Sequence, residues 1–223
     1  MMPLDHSSGR DLVDPLPETP IPLLTRWLAE ARASDRIRNP EAMALATVDE
    51  LGAPRVRFVL CRGFDGARAR FSFYTHFASP KGQDLDRERR ASAAIYWDAL
   101  GRQVRLSGRV ERASDASSDA YFASRHRGSQ LSAWASVQSE PIGSRAALEE
   151  QLSETTARLE ASFGDEPLPR PPGWGGYLLE ADRIELWAEG ADRVHDRAVW
   201  TRSDGRAGPS ATPIVWAVAR LQP

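Results

Sequence analysis

The chain has 223 residues, a net charge of −2 and one cysteine, Cys61. A near-neutral balance supplies no global field to draw it to nucleic acid or an anionic membrane. A lone cysteine excludes an intrachain disulfide and fits a reducing compartment, and no run reaches the roughly 20 apolar residues of a membrane span.

The first ten residues lack the apolar stretch of a signal peptide, so the cytoplasm is the expected location. Residues 1–18 are polar and proline-broken, the composition of a loose, flexible arm; residues 19–223 read as one domain. Thr19-Pro20 opens a first helix, with Leu23, Leu24, Trp27, Leu28 and Ala31 on one stripe. Residues 43–48 form an apolar strand ending at the turn Asp49-Glu50-Leu51-Gly52, and 55–62 form a second. Residues 70–75 make a third. Ser79 caps a short helix to about Arg89, and 91–97 and 103–112 are two more strands. Helices follow at 114–124 and 144–163, the latter with Leu148, Leu152, Thr155 and Leu159 on one face and Gly164 closing it. After a proline-rich connector, strand 176–179 leads into 184–187, then 193–202, a turn at Ser203-Asp204-Gly205, and 214–221. Seven or eight strands, mostly hairpin-linked, with no G-x-G-x-x-G and no Walker loop, predict an α+β chain on an antiparallel sheet or barrel.

Four groups could carry chemistry. In Arg193-Val194-His195-Asp196-Arg197, a strand puts Arg193, His195 and Arg197 on one face, an anion site whose guanidinium forks suit phosphate; the alternative is a solvated, charge-alternating edge strand. Tyr121, Arg125 and Ser129, spaced by four and four, would line one face if the helix is continuous and could bind a phosphate ester, with Gly128 able to end the helix before Ser129; the alternative is a polar surface stripe. Residues 57–62, Arg-Phe-Val-Leu-Cys-Arg, are apolar between their bounding arginines and predict a central, buried strand. Tyr74-Thr75 followed by Ser79-Pro80-Lys81 places a strand end, a helix start and an ammonium together. Cys61 reads as an inert buried thiol. His6, His76, His126 and His195 lack metal-ligand spacing, so no metal is expected. Trp187 could face a flat ring.

Taken in order, these segments resemble the pyridoxamine 5'-phosphate oxidase family from about Trp27 to Pro223. The carrying residues are 57–62, Tyr74-Thr75, Ser79 with Lys81, Arg102-Gln103-Val104, 121–129, Gln138-Ser139, Trp174-Gly175-Gly176, Glu185-Leu186-Trp187, 193–197 and the closing Arg220-Leu221-Gln222-Pro223. The resemblance implies a split β-barrel of antiparallel Greek-key type with peripheral helices, and a homodimer holding flavin mononucleotide (FMN) between subunits. It implies that Arg57, Phe58, Val59, Leu60, Cys61, Arg62, Tyr74, Thr75, Lys81, Gln103, Gln138, Ser139, Trp187 and Arg197 bind the cofactor. Arg62, Tyr121, Arg125 and Ser129 would bind the substrate phosphate. Arg193 and His195 would be the catalytic pair over the substrate ring. The implied reaction oxidises pyridoxamine or pyridoxine 5'-phosphate to pyridoxal 5'-phosphate with O2, giving H2O2.

Three departures stand out. Arg62 replaces the family's usual lysine, in a chain where Lys81 is the only lysine among 29 basic residues. Pro80 replaces a usual arginine, and residues 1–18 hold no match to the family's basic, tyrosine-containing arm. The rival expectations are a phenazine-pathway flavin oxidase on the same fold, acting on unphosphorylated tricyclic acids, and a non-catalytic binder of flavin or pyridoxal phosphate.

Overall fold

The computed structural model describes residues 12–203 and 214–223. The turn expected at Ser203-Asp204-Gly205 therefore lies largely outside the described residues, as do residues 1–11. Helix α1 (Ile21–Ala33) buries the stripe read from its sequence, Leu23, Leu24, Trp27, Leu28 and Ala31. The hairpin β1 (Ala42–Val48) to β2 (Pro54–Leu60) turns on Asp49, whose carboxylate accepts from the Leu51 and Ala53 amides at 2.9 and 2.8 Å. Short β3 (Gly63–Asp65) leads to β4 (Arg70–His76), α2 (Pro80–Glu88), β5 (Arg90–Trp97) and β6 (Arg102–Arg112). Three helices, α3 (Asp115–Ala123), α4 (Arg127–Ala135) and α5 (Arg145–Phe163), precede β7 (Trp174–Ala188), β8 (Asp196–Arg202) and β9 (Trp216–Leu221).

Among the described residues all nine strands join one antiparallel sheet of order β2-β1-β5-β6-β7-β4-β3, with β8 and then β9 added on β7. The pivot is β7, a 15-residue strand that runs without a break through the expected 176–179 and 184–187 segments. Its first half pairs with β4 and its second with β8, while β6 runs beside both. The β6–β7 register shifts at Ser107/Gly108, an irregularity of the kind that bends a strand. A Cβ on Gly108 would meet the Glu180 carbonyl oxygen at 1.9 Å, so only glycine permits that approach. The result is a curled half-barrel sheet flanked by helices, as the fold expectation has it.

The main core fills the curl with Trp27, Trp97, Trp200, Phe71 and Phe73, and a second cluster of Phe122, Leu131, Leu159, Leu168 and Trp174 lies under α3–α5. Each such fully buried side chain contributes about 1.5–3 kcal/mol. Among the described residues no helix is long and apolar enough to cross a membrane.

Two expectations change. The arm is not loose over its described part: Leu12 is buried, Arg220 donates to the Leu12 carbonyl and the Asp14 carboxylate, and Trp200 Nε1 donates to the Pro17 carbonyl. And the 57–62 strand is not central. β2 is an edge strand, with Val56 72% and Phe58 77% exposed. Its apolar residues on one face are uncovered within a single chain, a pattern that marks an interface as well as a core.

Candidate functional site

Where the end of β4, the start of α2 and the α3–α4 pair converge, a cleft of about 660 Å³ opens. It gathers Phe58, Val59, Leu60, Arg62, Tyr74, Thr75, Lys81, Tyr121, Arg125, Ser129 and Gln138 from the sequence-derived set. Among the described residues no Asp or Glu lines it.

Local rules put these groups there. β4 alternates, so Phe71, Phe73 and Thr75 are buried while Ser72, Tyr74 and His76 take the other face. Ser79 precedes Pro80, the first residue of α2, and Lys81 follows in the first helical turn. Gly82 lets that turn sit against β4, since a Cβ there would lie 2.2 Å from the Phe77 carbonyl oxygen.

Lys81 is 8% exposed, and no carboxylate pairs with it among the described residues. Its ammonium donates to Thr75 Oγ1 at 2.9 Å, Ser79 Oγ at 3.0 Å and Gln138 Oε1 at 2.8 Å. Burial, then the charge of Arg57, lowers its pKa from 10.5 to about 8. Arg57 approaches from β2 outside the cleft wall. Its guanidinium donates to Thr47 Oγ1 at 2.7 Å and stands 3.8 Å from buried Asp84. Arg125 lies over the Trp174 ring at 4.9 Å, burial lowers its pKa, and its buried Nη1 has no hydrogen-bond partner among the described residues. Arg62, by contrast, is paired with Glu41 at 2.7 Å. Two desolvated cations held by neutral or aromatic neighbours form an anion site, because a buried charge without a counterion is costly until an anion arrives. Beside them Tyr74, Tyr121 and Trp174 stand nearly parallel, with centroids 3.8 Å (Tyr74–Tyr121) and 5.6 Å (Tyr74–Trp174) apart.

Tyr121, Arg125 and Ser129 do meet, though not on a continuous helix. The helix breaks between Ala123 and Arg127, and Gly128 lies inside α4 instead of ending α3. The break lets α4 fold back so that Ser129 reaches the cleft from a second helix. Missed from the sequence were His76, Ser124, His126, Ser132, Ala133, Ser136 and Trp174. The spacing of Ser129, Ser132 and Ser136 by three and four was a usable signal of one helix face.

A second set does not line this cleft: Gln103, Ser139, Trp187, Arg193, His195 and Arg197, with Arg57 and Cys61 also behind its wall. Gln103, Trp187 and Arg197 sit in register across β6, β7 and β8. The expected strand carrying Arg193, His195 and Arg197 on one face is not formed. β8 begins at Asp196, and Arg193 ends a 3-10 turn with φ +65, preceded by Asp192 at φ +53. Two successive left-handed residues break the strand alternation. Arg197 is not free: buried Glu185 accepts from it at 2.7 Å. The His195 ring packs 4.6 Å from Trp187, and its Nδ1 accepts from the Gly190 amide at 3.3 Å. Cys61 is buried just past β2, and burial raises its pKa to about 11, which fits the inert thiol expected.

The curled antiparallel sheet and its flank define a split-barrel protein with a cationic, ring-lined cleft. A family profile described as pyridoxamine 5'-phosphate oxidase matches residues 29–158, and one described as pyridoxine 5'-phosphate oxidase C-terminal dimerisation region matches 174–223. Pyridoxine/pyridoxamine 5'-phosphate oxidase from Rhizobium etli is 48% identical over 183 residues, covering 82% of this chain and 85% of that protein. Its counterpart from Brucella canis is 46% identical over 82% of this chain and 87% of that protein. Among solved structures, PhzG from Burkholderia lata, in complex with tetrahydrophenazine-1-carboxylic acid, superposes with a TM-score of 0.80 at 33% identity, covering 96% of this chain and 97% of that one. An FMN-binding protein related to pyridoxamine 5'-phosphate oxidase from Nostoc punctiforme, 17% identical, shares the fold with a TM-score of 0.69 over 96% of this chain and 100% of that one. The chain belongs to the pyridoxamine 5'-phosphate oxidase family.

Proposed function

We propose that this protein is an FMN-dependent oxidase that converts pyridoxamine or pyridoxine 5'-phosphate to pyridoxal 5'-phosphate, with O2 as acceptor and H2O2 as product. The observation that carries the reading is a pair of cations without carboxylate partners among the described residues, buried Lys81 and half-buried Arg125 with its unpartnered Nη1, in a cleft walled by aromatic rings. That donor set suits two phosphate monoesters and flat heterocycles, as a phosphorylated flavin and a phosphorylated vitamer require.

Lys81, Thr75 and Gln138, with Arg57 behind them and the 58–62 segment beside them, would hold the flavin. Arg125, Tyr121, Ser129 and Arg62 would hold the substrate phosphate. The set on β6–β8 would complete the site from the other subunit of a homodimer, with Gln103, Trp187 and Arg197 toward the flavin. Two observations support this division: the second set stands outside the cleft of its own chain, and the exposed apolar face of β2 borders the cleft. When bound, the flavin supplies the two-electron acceptor and its reoxidation by O2. Anchoring the phosphate fixes the ring of the substrate, so orientation contributes much of the rate. Because the Gly190 amide donates to His195 Nδ1, the neutral ring carries its proton on Nε2 and can donate it to a substrate heteroatom. Arg193 would add positive charge over the substrate ring.

The phenazine-type reading is favoured less: Tyr121, Arg125 and Ser129 meet at a position that an unphosphorylated acid has no need to fill. The test is an anaerobic absorbance spectrum of the yellow protein before and after adding pyridoxine 5'-phosphate. Bleaching of the flavin band is expected. A protein that cannot be loaded with flavin, or a band that stays unchanged, refutes the proposal.

A further inference from the structure

Two histidines, His76 and His126, line the cleft and belong to neither set above. His76 is the better placed. Strand alternation puts it on the same face of β4 as Tyr74, which stacks on Tyr121. Its partner in register on β7 is Trp174, the ring over which Arg125 lies. It therefore stands toward the Tyr121–Arg125 end of the cleft. Burial first, then the charges of Lys81 and Arg125, lower its pKa, so the free site holds the imidazole neutral near pH 7. No carboxylate lines the cleft among the described residues to offset those cations. A phosphate monoester, which carries about −1.5 to −2 charges near neutrality, reverses the sign of that local field.

We propose that His76 is a proton-linked ligand of the substrate phosphate: as the phosphate settles beside Arg125, the imidazole takes up one proton from solvent and donates a hydrogen bond to it. The idea rests on the proposed reaction and adds a residue to its substrate site. The other titratable groups facing this space are Lys81 from α2, Tyr121 from α3, Arg125 and His126 between α3 and α4, Arg62 beyond β2, and Tyr74 on the same strand. Of these, Lys81 is half deprotonated near pH 8, so an experiment at pH 7.2, where it is mostly protonated, keeps its contribution small.

The experiment is calorimetric titration of the flavin-loaded protein with pyridoxal 5'-phosphate, in two phosphate-free buffers of different ionisation enthalpy. The proton uptake of the wild-type protein should exceed that of His76→Asn by about half to one proton. His126→Asn should keep the wild-type value. The affinity ratio of wild type to His76→Asn should be about tenfold at pH 6.5 and fall toward one at pH 8.5, because the extra bond needs the proton. Should His76→Asn fail to retain flavin, nitrogen-15 histidine spectra of the wild type serve instead, with the His76 resonance moving toward the protonated form on ligand addition. Equal uptake in both proteins, uptake lost in His126→Asn instead, or an unmoved His76 resonance overturns the inference alone. A wild-type protein that binds no pyridoxal 5'-phosphate overturns the functional reading as well.

Discussion

Replacing Lys81 by methionine should stabilise the flavin-free protein while crippling its flavin binding. The ammonium is buried, and its pKa falls from 10.5 to about 8. At 1.36 kcal/mol per unit the shift corresponds to about 3 kcal/mol, and solvent on the open side of the cleft screens this to about 1–2 kcal/mol. Methionine has nearly the same shape and removes that penalty. It also orphans little: the Thr75 hydroxyl still donates to Gln138 Oε1 and the Ser79 hydroxyl to the His76 carbonyl, both at 2.7 Å. The sign follows from the direction of the shift. Below pH 8 both folded and unfolded lysine are charged and the penalty is complete; above pH 8 the folded lysine sheds its proton first, and the penalty fades toward pH 10.5. Urea unfolding of the flavin-free proteins should therefore show Lys81→Met more stable by about 1–2 kcal/mol at pH 7, with the gap closing by pH 10. Flavin fluorescence titration should show affinity weaker by about 10–100-fold, the loss of one charge-assisted bond to a phosphate. A variant that is destabilised yet binds flavin normally would show that Lys81 is a structural hydrogen-bond donor, and the anion-site argument would fail.

Arg125→Met should raise the KM for pyridoxine 5'-phosphate about 10–100-fold with flavin content unchanged, measured by oxygen uptake and absorbance. Co-expressing Arg125→Met with Arg193→Ala should restore about a quarter of wild-type turnover, because a mixed two-fold dimer regains one intact site if each site draws on both chains; activity no higher than either parent refutes the shared site. Phe58→Asp, on the exposed face of β2, should weaken the dimer by about 100-fold or more by setting a charge in an apolar contact, read by sedimentation. Cys61 should react with a maleimide at pH 7.5 roughly 100-fold slower than a free thiol until the protein is unfolded, since burial holds its pKa near 11.

Much of the fold was legible because periodicity records which face of an element is apolar. The α1 stripe of Leu23, Leu24, Trp27, Leu28 and Ala31 was readable and is buried. The same signal misled at β2. An apolar strand looks alike whether a neighbouring strand or a second molecule covers it, and Phe58 is open within one chain. At the site, spacing grouped Tyr121, Arg125 and Ser129 and the helix read over 114–124 does end at Ala123, but the second helix that carries Ser129 was not read, since its short 127–135 segment is mostly small and polar with no strong apolar stripe. Trp174 and His76 escaped because they face each other across β4 and β7, some hundred residues apart in the chain.

The sequence by itself determined most of the elements, though not β3 or α4, together with the antiparallel class and the family. These follow from local periodicity and from an ordered set of short motifs. The tertiary structure alone decided the state of each charge. It placed Lys81 among neutral oxygens, left Arg125 with an unpartnered nitrogen, bound Arg197 to Glu185 and Arg62 to Glu41, and set the Arg193–His195 turn away from the cleft of its own chain. A charge is made available or quenched by what lies within a few ångströms of it, and in this sheet those neighbours come from strands that only folding brings together.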